Sequence, residues 1–306
     1  MAEKVKFCQN SDQIRGLCEM VMQEPRGHAG QFGAILTEPV TPGAKAGVIF
    51  FVPGGIGGGM CGHGTMGVAS ALVDMGVVSG TLPLDFTLDN ARGIITVRVN
   101  GHDDVVESVS FRNVPSFLYY DNVDLRVPGI GTIKADVSFG GNLYAFVSAK
   151  DLGIRVRVEN LLELRRLGTM LIEAAQEQLP VESPASWISP FAIGGVMIRD
   201  EPLHPEADQK NILMGRVGFD RSPCGTGTSG WVAALTAKGK LPFGKEFANE
   251  SVVGGIFRGK AVERTKVGRF DAIIPEITGS AYVVAYHDFV LDPHDPYPRG
   301  FQTFKE

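Results

Sequence analysis

The sequence predicts an α+β protein made of two similar halves, and three observations support this. The pattern Cys-Gly-x-Gly-Thr occurs at positions 61–65 and again at 224–228, a step of 163 residues in a chain of 306. Each copy opens a helical pattern, and many short strand-like runs surround both copies, which favours α+β architecture. The 39 glycines indicate many turns and close backbone approaches.

Composition narrows the functional class. A net charge of −5 with scattered basic residues argues against a nucleic-acid partner. The four cysteines are too few for a disulfide scaffold, and the first residues lack the apolar core of a signal peptide. No run approaches the roughly 18 apolar residues that a membrane helix needs. We therefore expect a cytoplasmic protein with no membrane partner and with reduced thiols.

The first half reads as two helices and several strands. Residues 11–23 predict a helix that Ser11 or Asp12 caps, and residues 65–76 predict a second helix that ends at Gly76. The segments 79–93 and 113–134 are predicted to be turn-rich. Alternating or apolar runs predict strands at 32–37, 47–52, 93–99 and 105–111.

The second half shows the same pattern. Helices are predicted at 159–178 and 226–238. Strands are predicted at 135–139, 143–148, 193–198, 211–214, 251–257, 261–266 and 281–286. No long linker separates the two halves.

The duplicated motif is suited to acid–base chemistry. A helix N-terminus presents unpaired N–H groups and a partial positive charge, and a cysteine placed there has its thiolate stabilised. The glycines allow backbone N–H groups to reach an anion such as a carboxylate. Two facing copies would place Cys61 and Cys224 on opposite sides of one carbon. One thiolate could then remove a proton while the other thiol delivers one, which inverts the carbon.

Other interpretations of the motif remain open. A cysteine in a glycine-rich turn is often a small buried hydrophobe, and the two cysteines could form a disulfide under oxidation. A zinc site is not predicted, because neither copy is a Cys-x-x-Cys pair. Residues 57–62 and 225–230 also fit Gly-x-Gly-x-x-Gly, which would suggest dinucleotide binding. The turn-rich segment after residue 76 and a cysteine in both loops argue against that alternative.

The sequence resembles the proline racemase family, which includes proline racemases, 4-hydroxyproline 2-epimerases and 3-hydroxyproline dehydratases. The matching segments run across nearly the whole chain, and DRSPCGTGTS is the most specific of them. They are EPRGH (24–28), FGAILTEP (32–39), MCGHGTMG (60–67), SFGGN (138–142), DEPLHPEA (200–207), DRSPCGTGTS (220–229) and ITGSAYVVAYHDFVLDPHDP (277–296).

The resemblance implies a fold and a domain division. It implies two pseudo-symmetric halves of the diaminopimelate epimerase-like fold, each a β-barrel-like sheet around a central helix, with the active site in the cleft between them. We expect residues 1–130 with 280–306 to form the half that carries Cys61, and residues 131–279 to form the half that carries Cys224. Family members often form dimers, so a homodimer is expected.

The resemblance also implies roles for individual residues. Cys61 and Cys224 match the two acid/base cysteines. Asp220 matches the carboxylate that receives the substrate nitrogen. Gly62, His63, Gly225 and Thr226 match positions that hold the substrate carboxylate, whereas Phe32, Phe50 and Met214 match positions against the pyrrolidine ring.

The residues themselves leave three of these roles open. Asp220 suits a zwitterionic substrate that needs one anionic partner, but it could equally be a turn or cap residue. His63 could donate to the carboxylate, polarise Cys61 or cap the helix. Met214 stands where proline racemases carry a phenylalanine, and His204 is expected to be mainly structural.

The predicted function is that of a cofactor-independent racemase that interconverts L- and D-proline. The first alternative is a 4-hydroxyproline 2-epimerase or a related imino-acid epimerase. A lyase acting on hydroxyproline is considered with it, although Cys224 argues against elimination because the resemblance implies threonine there in dehydratases. The family usually has a His-Thr-x-Gly-Glu strand upstream of the position where this sequence opens. We therefore also consider an inactive, N-terminally truncated homologue that only binds its ligand.

Overall fold

The computed structural model describes residues 1–57, 59–103, 105–188, 191–215 and 218–303. Within them the chain divides into two compact units. The first unit comprises Met1–Phe111 with Ser280–Glu306, and the second comprises Arg112–Gly279. Among the described helices, none combines the length and apolarity that a bilayer crossing requires.

The first unit contains three helices and six strands in the described ranges. Its elements are α1 (Ala2–Asn10), α2 (Asp12–Met22), β1 (Gly33–Thr37), β2 (Ala46–Val52), β3 (Gly55–Ile56), α3 (Gly62–Asp74), β4 (Leu84–Asn90), β5 (Gly93–His102) and β6 (Val105–Arg112). The strands run in the order β1-β2-β4-β5-β6, with β3 paired to β2. β2 and β4 are parallel, whereas β1–β2 and β4–β5–β6 are antiparallel.

Local sequence signals explain two helix ends in this unit. Ser11 caps α2 because its Oγ accepts the N–H of Ile14 at 3.3 Å. Gly76 follows α3 with φ of +69°, a left-handed conformation that glycine adopts without steric cost. Both signals were predicted from the sequence. α1 was not predicted, because its apolar stripe is weak: only Val5 and Cys8 are buried.

The second unit contains two longer helices and nine strands in the described ranges. Its elements are β7 (Phe117–Val127), β8 (Gly131–Phe139), β9 (Leu143–Ser148), a 3-10 turn (Val158–Asn160), α4 (Leu161–Gln178), β10 (Ile193–Asp200), β11 (Gln209–Gly215), β12 (Gly218–Phe219), α5 (Gly225–Ala237), β13 (Phe247–Ser251), β14 (Ile256–Val267) and β15 (Phe270–Gly279). The strand order is β7-β8-β9-β10-β11-β13-β14-β15, with β12 paired to β11. The β9–β10 and β11–β13 pairs are parallel.

The two units repeat one arrangement of strands and helices. The series β1-β2-α3-β4-β5-β6 of the first unit matches β10-β11-α5-β13-β14-β15 of the second in chain order and in pairing. The 163-residue step that separates the cysteines also relates the first strands, since Thr37 pairs with Gly47 as Asp200 pairs with Lys210. The predicted α+β class and the two similar halves are thereby confirmed.

The motif helices are the most apolar helices of their units. In α5 ten residues from Gly225 to Ala234 are buried, and the helix packs against β7, β8, β14 and β15. α3 packs against β1 and β5. Burial of a helix on most of its faces requires small and apolar residues all around it. The cysteine of each motif therefore stands at the N-terminal end of a helix whose residues are mostly buried.

Four predictions of secondary structure were wrong. The segments 79–93 and 113–134 contain β4 and β7; the prolines and glycines that signalled turns flank these strands, and the strands themselves hold none. The strand predicted at 251–257 is instead the end of β13 at Ser251, a turn and the start of β14. Residues 281–286 form no strand. Because β7 pairs with β8, the first unit ends at Phe111 rather than at residue 130.

Candidate active site

Cys61 lies immediately before α3 as its N-cap residue. Its backbone is extended, with φ of −128°. Its carbonyl accepts the N–H of Thr65 at 2.9 Å and the Thr65 hydroxyl at 2.8 Å. The thiol is partly exposed, and its Sγ lies 3.5 Å from Nε2 of His63. The sequence-predicted pair of Cys61 and His63 is therefore within contact distance.

Two aromatic rings surround the first motif. Phe32 is half exposed, and its ring meets the His63 ring edge-on at 4.6 Å between centroids. Phe50 on β2 is buried and packs against Gly64, where an added Cβ would lie 2.6 Å from Cε1 of the ring. The structure thus brings both predicted aromatic residues to the α3 N-terminus, where Gly62 begins the helix.

Cys224 holds the same position before α5, but its backbone differs. Its φ is +63°, which is rare for a residue other than glycine. Sγ accepts the N–H of Gly227 at 3.3 Å and lies 3.5 Å from the hydroxyl of Thr226. Only 3% of Cys224 is exposed. An N–H donor at a helix start stabilises negative charge on sulfur, so this thiol is suited to act as a proton acceptor.

The glycines of both motifs give the thiols room. A Cβ at Gly64 would lie 3.2 Å from Sγ of Cys61, and a Cβ at Gly227 would lie 3.2 Å from Sγ of Cys224. Both glycines occupy the third helical position of their helix. The second Gly of Cys-Gly-x-Gly-Thr is therefore required because any side chain there would crowd the sulfur.

Asp220 is placed by a short hydrogen-bonded loop. Its N–H donates to the carbonyl of Leu213 at 2.9 Å, and its Oδ1 accepts the N–H of Ser222 at 2.8 Å. Oγ of Ser222 in turn accepts the N–H of Cys224 at 3.1 Å. The turn role weighed for Asp220 is thus present. It also ties the carboxylate to the backbone of Cys224, and Asp220 remains a candidate partner for a substrate nitrogen.

Tyr144 belongs to the second motif, although the sequence gave no reason to select it. Its hydroxyl lies 3.3 Å from Oγ1 of Thr226, and the residue is buried on β9. Burial raises the pKa of Tyr144 well above its ordinary value, and the nearby Cys224 raises it further. The phenol therefore stays neutral and can orient the Thr226 hydroxyl. In the sequence Tyr144 is set apart only by standing two residues after Gly-Gly-Asn, which does not point to a role.

Three donors converge on the carbonyl of Pro223, the residue before Cys224. The side-chain amides of Asn211 and Asn249 donate to it, each at 3.3 Å, and the Thr228 hydroxyl donates at 3.1 Å. Asn249 also donates to Oγ1 of Thr228 at 2.9 Å. Asn211, Asn249 and Thr228 are fully buried. Sequence reasoning missed both asparagines, because their strands, QKNILMG and FANES, carry other polar residues and no local pattern sets the amides apart.

Met214 does not lie beside Cys224. Its side chain is 2% exposed and packs in the core of the second unit against Gly168 of α4, where an added Cβ would lie 2.5 Å from Cγ of Met214. Side chains alternate along a strand, so the preceding Leu213 is the residue that shares a cluster with Cys224. Met214 is therefore a core residue of the second unit, and its place against a substrate ring stays a prediction.

Each unit thus supplies one thiol beside backbone N–H groups at a helix start. This arrangement can bind an anion and exchange a proton with an acidic C–H bond. Among the described residues, no group of three or more His, Cys, Asp or Glu side chains is placed to hold a metal ion. Gly58, within the first Gly-x-Gly-x-x-Gly match, lies outside the described residues.

Comparison with known proteins agrees with this geometry. Residues 1–302 match the proline racemase family profile. A proline racemase of Clostridioides difficile is 42% identical over 304 residues, which cover 98% of this chain and 89% of that protein. A 4-hydroxyproline 2-epimerase of Brucella anthropi is 35% identical over 309 residues, covering 98% and 89%. The crystal structure of a hydroxyproline epimerase from Agrobacterium vitis with bound trans-4-hydroxy-L-proline superposes with a TM-score of 0.86 at 28% identity, covering 98% and 86%.

Proposed function

This chain belongs to the proline racemase family, and we propose that it inverts the α-carbon of free proline by proton transfer between Cys61 and Cys224. The duplicated Cys-Gly-x-Gly-Thr motif, with a cysteine at the start of a buried helix in each unit, is the observation that carries the proposal. The family relation supports the coarser conclusion that the protein is an amino-acid isomerase.

The proposed reaction balances with one proton taken and one given. The thiolate of one cysteine removes the α-proton from one face of the substrate, and the C–H electron pair stays on carbon. The thiol of the other cysteine donates its proton to the opposite face, so the product is the mirror image and the two cysteines have exchanged protonation states. The reverse reaction uses the same groups with their roles exchanged.

Charge stabilisation in this scheme comes from the helix starts. The N–H groups around Gly62 and Gly225, with the side chains of His63 and Thr226, would bind the substrate carboxylate. That carboxylate carries much of the negative charge once the α-proton has left. Asp220 would bind the positively charged ring nitrogen, and Phe32 with Phe50 would contact the apolar ring edge.

4-Hydroxyproline is the second candidate substrate. A relative of 35% identity and a structural neighbour with a TM-score of 0.86 are both described as hydroxyproline epimerases. The two substrates share the carboxylate, the ring nitrogen and the α-proton, so the same thiol chemistry serves either. Homodimer assembly and a cytoplasmic location stay predictions from the sequence.

The test is proton NMR in D₂O on the thiol-reduced protein, with L-proline, D-proline and trans-4-hydroxy-L-proline measured separately. Wild type is expected to replace the α-proton of its substrate by deuterium and to form the other stereoisomer. Cys61→Ser and Cys224→Ser are expected to lower the rate of inversion by about 10²- to 10⁴-fold, the usual contribution of an acid/base group. Cys8→Ala and Cys18→Ala are matched controls, because both cysteines lie outside the motifs.

The single variants also test the two-thiol scheme itself. With one thiol removed, the other still faces one side of the carbon. Each Ser variant should therefore retain slow α-proton exchange with one stereoisomer only, and the two variants should prefer opposite stereoisomers. Inversion by both Ser variants at the wild-type rate would refute the scheme. Binding of the planar mimic pyrrole-2-carboxylate without any turnover would instead identify a ligand-binding homologue.

A further inference from the structure

We infer that Asn211 and Asn249 are positioning residues that hold Cys224 in its reactive conformation; this inference rests on the proposed function. The two amides and the hydroxyl of Thr228 fix the carbonyl of Pro223 from one side. On the other side of the same peptide group, the N–H of Cys224 donates to Oγ of Ser222 at 3.1 Å. Both ends of the Pro223–Cys224 peptide are therefore held.

We call the three donors to the Pro223 carbonyl, from Asn211, Asn249 and Thr228, the Pro223 clamp. The first motif shows the backbone conformation of a cysteine whose loop has no counterparts of the two asparagines. The parallel strand pairs give the equivalent positions in the first unit. Ala46 pairs with Leu88 as Gln209 pairs with Asn249, so Leu88 is the counterpart of Asn249 and Val48 that of Asn211. Neither end of the Met60–Cys61 peptide forms a hydrogen bond within the part of the chain that the structure describes. There the threonine hydroxyl turns to the carbonyl of the cysteine itself, since Thr65 donates to Cys61 at 2.8 Å. With that arrangement φ of the cysteine is −128°.

The clamp has a clear consequence for the second thiol. Turning the Pro223 carbonyl toward the asparagines goes with the left-handed φ of +63° at Cys224, a conformation that costs an L-residue free energy. In that conformation Sγ faces the α5 N-terminus and accepts the N–H of Gly227 at 3.3 Å. Cys61 forms no side-chain cap bond with α3. The asparagines therefore maintain a strained backbone that gives Cys224 its N–H donor.

The amide groups are also costly to bury, which argues against simple space filling. Asn211 and Asn249 are both fully buried, and the Oδ1 atom of each has no hydrogen-bond partner in the described structure. An apolar side chain of similar size, as in the first unit, would avoid that penalty. Retention of two amides whose donors meet at one carbonyl points to a requirement at that carbonyl.

The test replaces each asparagine by its counterpart in the first unit, as Asn249→Leu and Asn211→Val. Three quantities are measured: kcat and KM for inversion of the substrate, the rate at which iodoacetamide alkylates each cysteine by peptide mass spectrometry, and the melting temperature. We expect kcat of Asn249→Leu to fall about 10- to 100-fold with KM within about twofold, because the thiol is misplaced while carboxylate binding remains. Asn211→Val removes one donor to the Pro223 carbonyl and one to the carbonyl of Glu250, each at 3.3 Å. It leaves Asn249 bonded to both Pro223 and Thr228, so it should have the smaller effect on kcat.

Alkylation separates positioning from loss of stability. The alkylation rate at Cys224 should fall at least about fivefold in Asn249→Leu, because loss of the Gly227 N–H donor lowers the thiolate fraction. The alkylation rate at Cys61 in the same sample should not change. Asn100→Leu is the matched control, because Asn100 in the first unit donates two amide hydrogen bonds, to Ser108 and Ser110 at 3.2 and 3.3 Å. It should lower the melting temperature without changing either alkylation rate.

Each outcome decides the inference. The inference would be overturned if Cys224 were alkylated at the same rate in wild type and in folded Asn249→Leu, or in neither of them. This holds even if the enzyme inverts its substrate. Slower alkylation at Cys224 alone supports the clamp even if wild type proves inactive on every imino acid tried, so failure of the proposed function is seen separately. Slower alkylation at both cysteines would mean general destabilisation and would also overturn it.

Discussion

The two cysteine loops share a cysteine, two glycines and a threonine at matching positions, but the structure supports them by different means. Cys61 has an extended backbone, is partly exposed and has the His63 ring beside its sulfur. Cys224 is buried, left-handed and hydrogen-bonded through its sulfur to a helix N–H. The comparison teaches that duplication preserves the reacting group and the helix start, while the residues that support them diverge.

The same relation holds for a buried carboxylate in each unit. Asp89 on β4 accepts the N–H groups of Val40 and Thr41 at 2.7 and 2.8 Å. Glu250 on β13 accepts the N–H groups of Leu203 and His204 at 2.7 and 3.0 Å. The accepted N–H groups are again 163 residues apart. Each carboxylate therefore anchors the loop before β2 or β11, and His204 contributes its backbone to this anchor.

The second anchor carries an added ion pair, which leads to the largest predicted effect. Lys210 lies 2.6 Å from Glu250, and both side chains are almost fully buried. Glu250→Gln should lower the free energy of unfolding by about 3–5 kcal/mol, because it leaves a buried lysine charge unpaired. Asp89→Asn removes no ion pair and should cost only about 1–3 kcal/mol. Urea denaturation measures both, and equal losses would contradict the comparison.

The pH dependence of stability sharpens that test. Burial alone would raise the pKa of Glu250, but the bonds from Lys210, His204 and Leu203 outweigh burial and hold the pKa below its ordinary value of 4.5. A carboxylate with a lowered folded-state pKa stabilises the protein above its unfolded pKa, and this contribution is lost as the pH falls through the folded pKa. Wild type should therefore lose stability below about pH 4.5 more steeply than Glu250→Gln does.

The second prediction concerns the glycines beside the sulfurs. Gly64→Ala should reduce turnover about 100-fold, because the new methyl meets the rigid ring of Phe50 and displaces Cys61. Gly227→Ala should cost less, since the nearest atom, 2.2 Å from the new Cβ, is the flexible end of Met197. Gly67→Ala is the control, because Gly67 lies in α3 with Gly64 and a Cβ added there meets nothing within 4 Å. Steady-state kinetics would contradict us if Gly67→Ala were the most impaired.

The third prediction tests the different backbones directly. At position 224 a glycine variant should be more stable than an alanine variant by about 1 kcal/mol, because only glycine adopts a left-handed φ without cost. At position 61 the backbone φ of −128° suits any residue, so the advantage of glycine over alanine should be smaller by about 1 kcal/mol and reflect only the N-cap preference. Denaturation of the four variants measures this. An equal advantage of glycine at both positions would show that the backbones do not differ in this way.

The smallest expected effect concerns Tyr144. Tyr144→Phe removes the hydroxyl beside Thr226 and should raise KM by about 2- to 10-fold with kcat little changed, in line with the net value of one neutral hydrogen bond. Tyr120→Phe is the matched control, since its hydroxyl donates to the carbonyl of Pro180 at 2.5 Å, away from either motif. A fall in kcat with constant KM would indicate that Tyr144 acts on the thiol instead.

Local sequence was sufficient where a signal lies within a few residues. The cap of α2 at Ser11, the glycine end of α3 and the start of α5 at Gly225 follow from residue type and spacing. The two cysteines and their glycines are visible as a repeat because the same residues occupy the same position before a helix in each unit. The α+β class follows from the same pattern.

Long-range pairing decided the rest. β4 and β7 are strands that pair with β5 and β8, although prolines and glycines flank both of them and made their segments resemble turns. Met214 belongs to the core because the register of β11 directs it toward Gly168, and register is not encoded in the motif. Asn211, Asn249 and Tyr144 reach the Cys224 loop from strands distant in sequence. The sequence by itself determined which cysteines stand at the two helix starts, whereas the tertiary structure decided which side chains hold them, because those contacts join residues that no local pattern links.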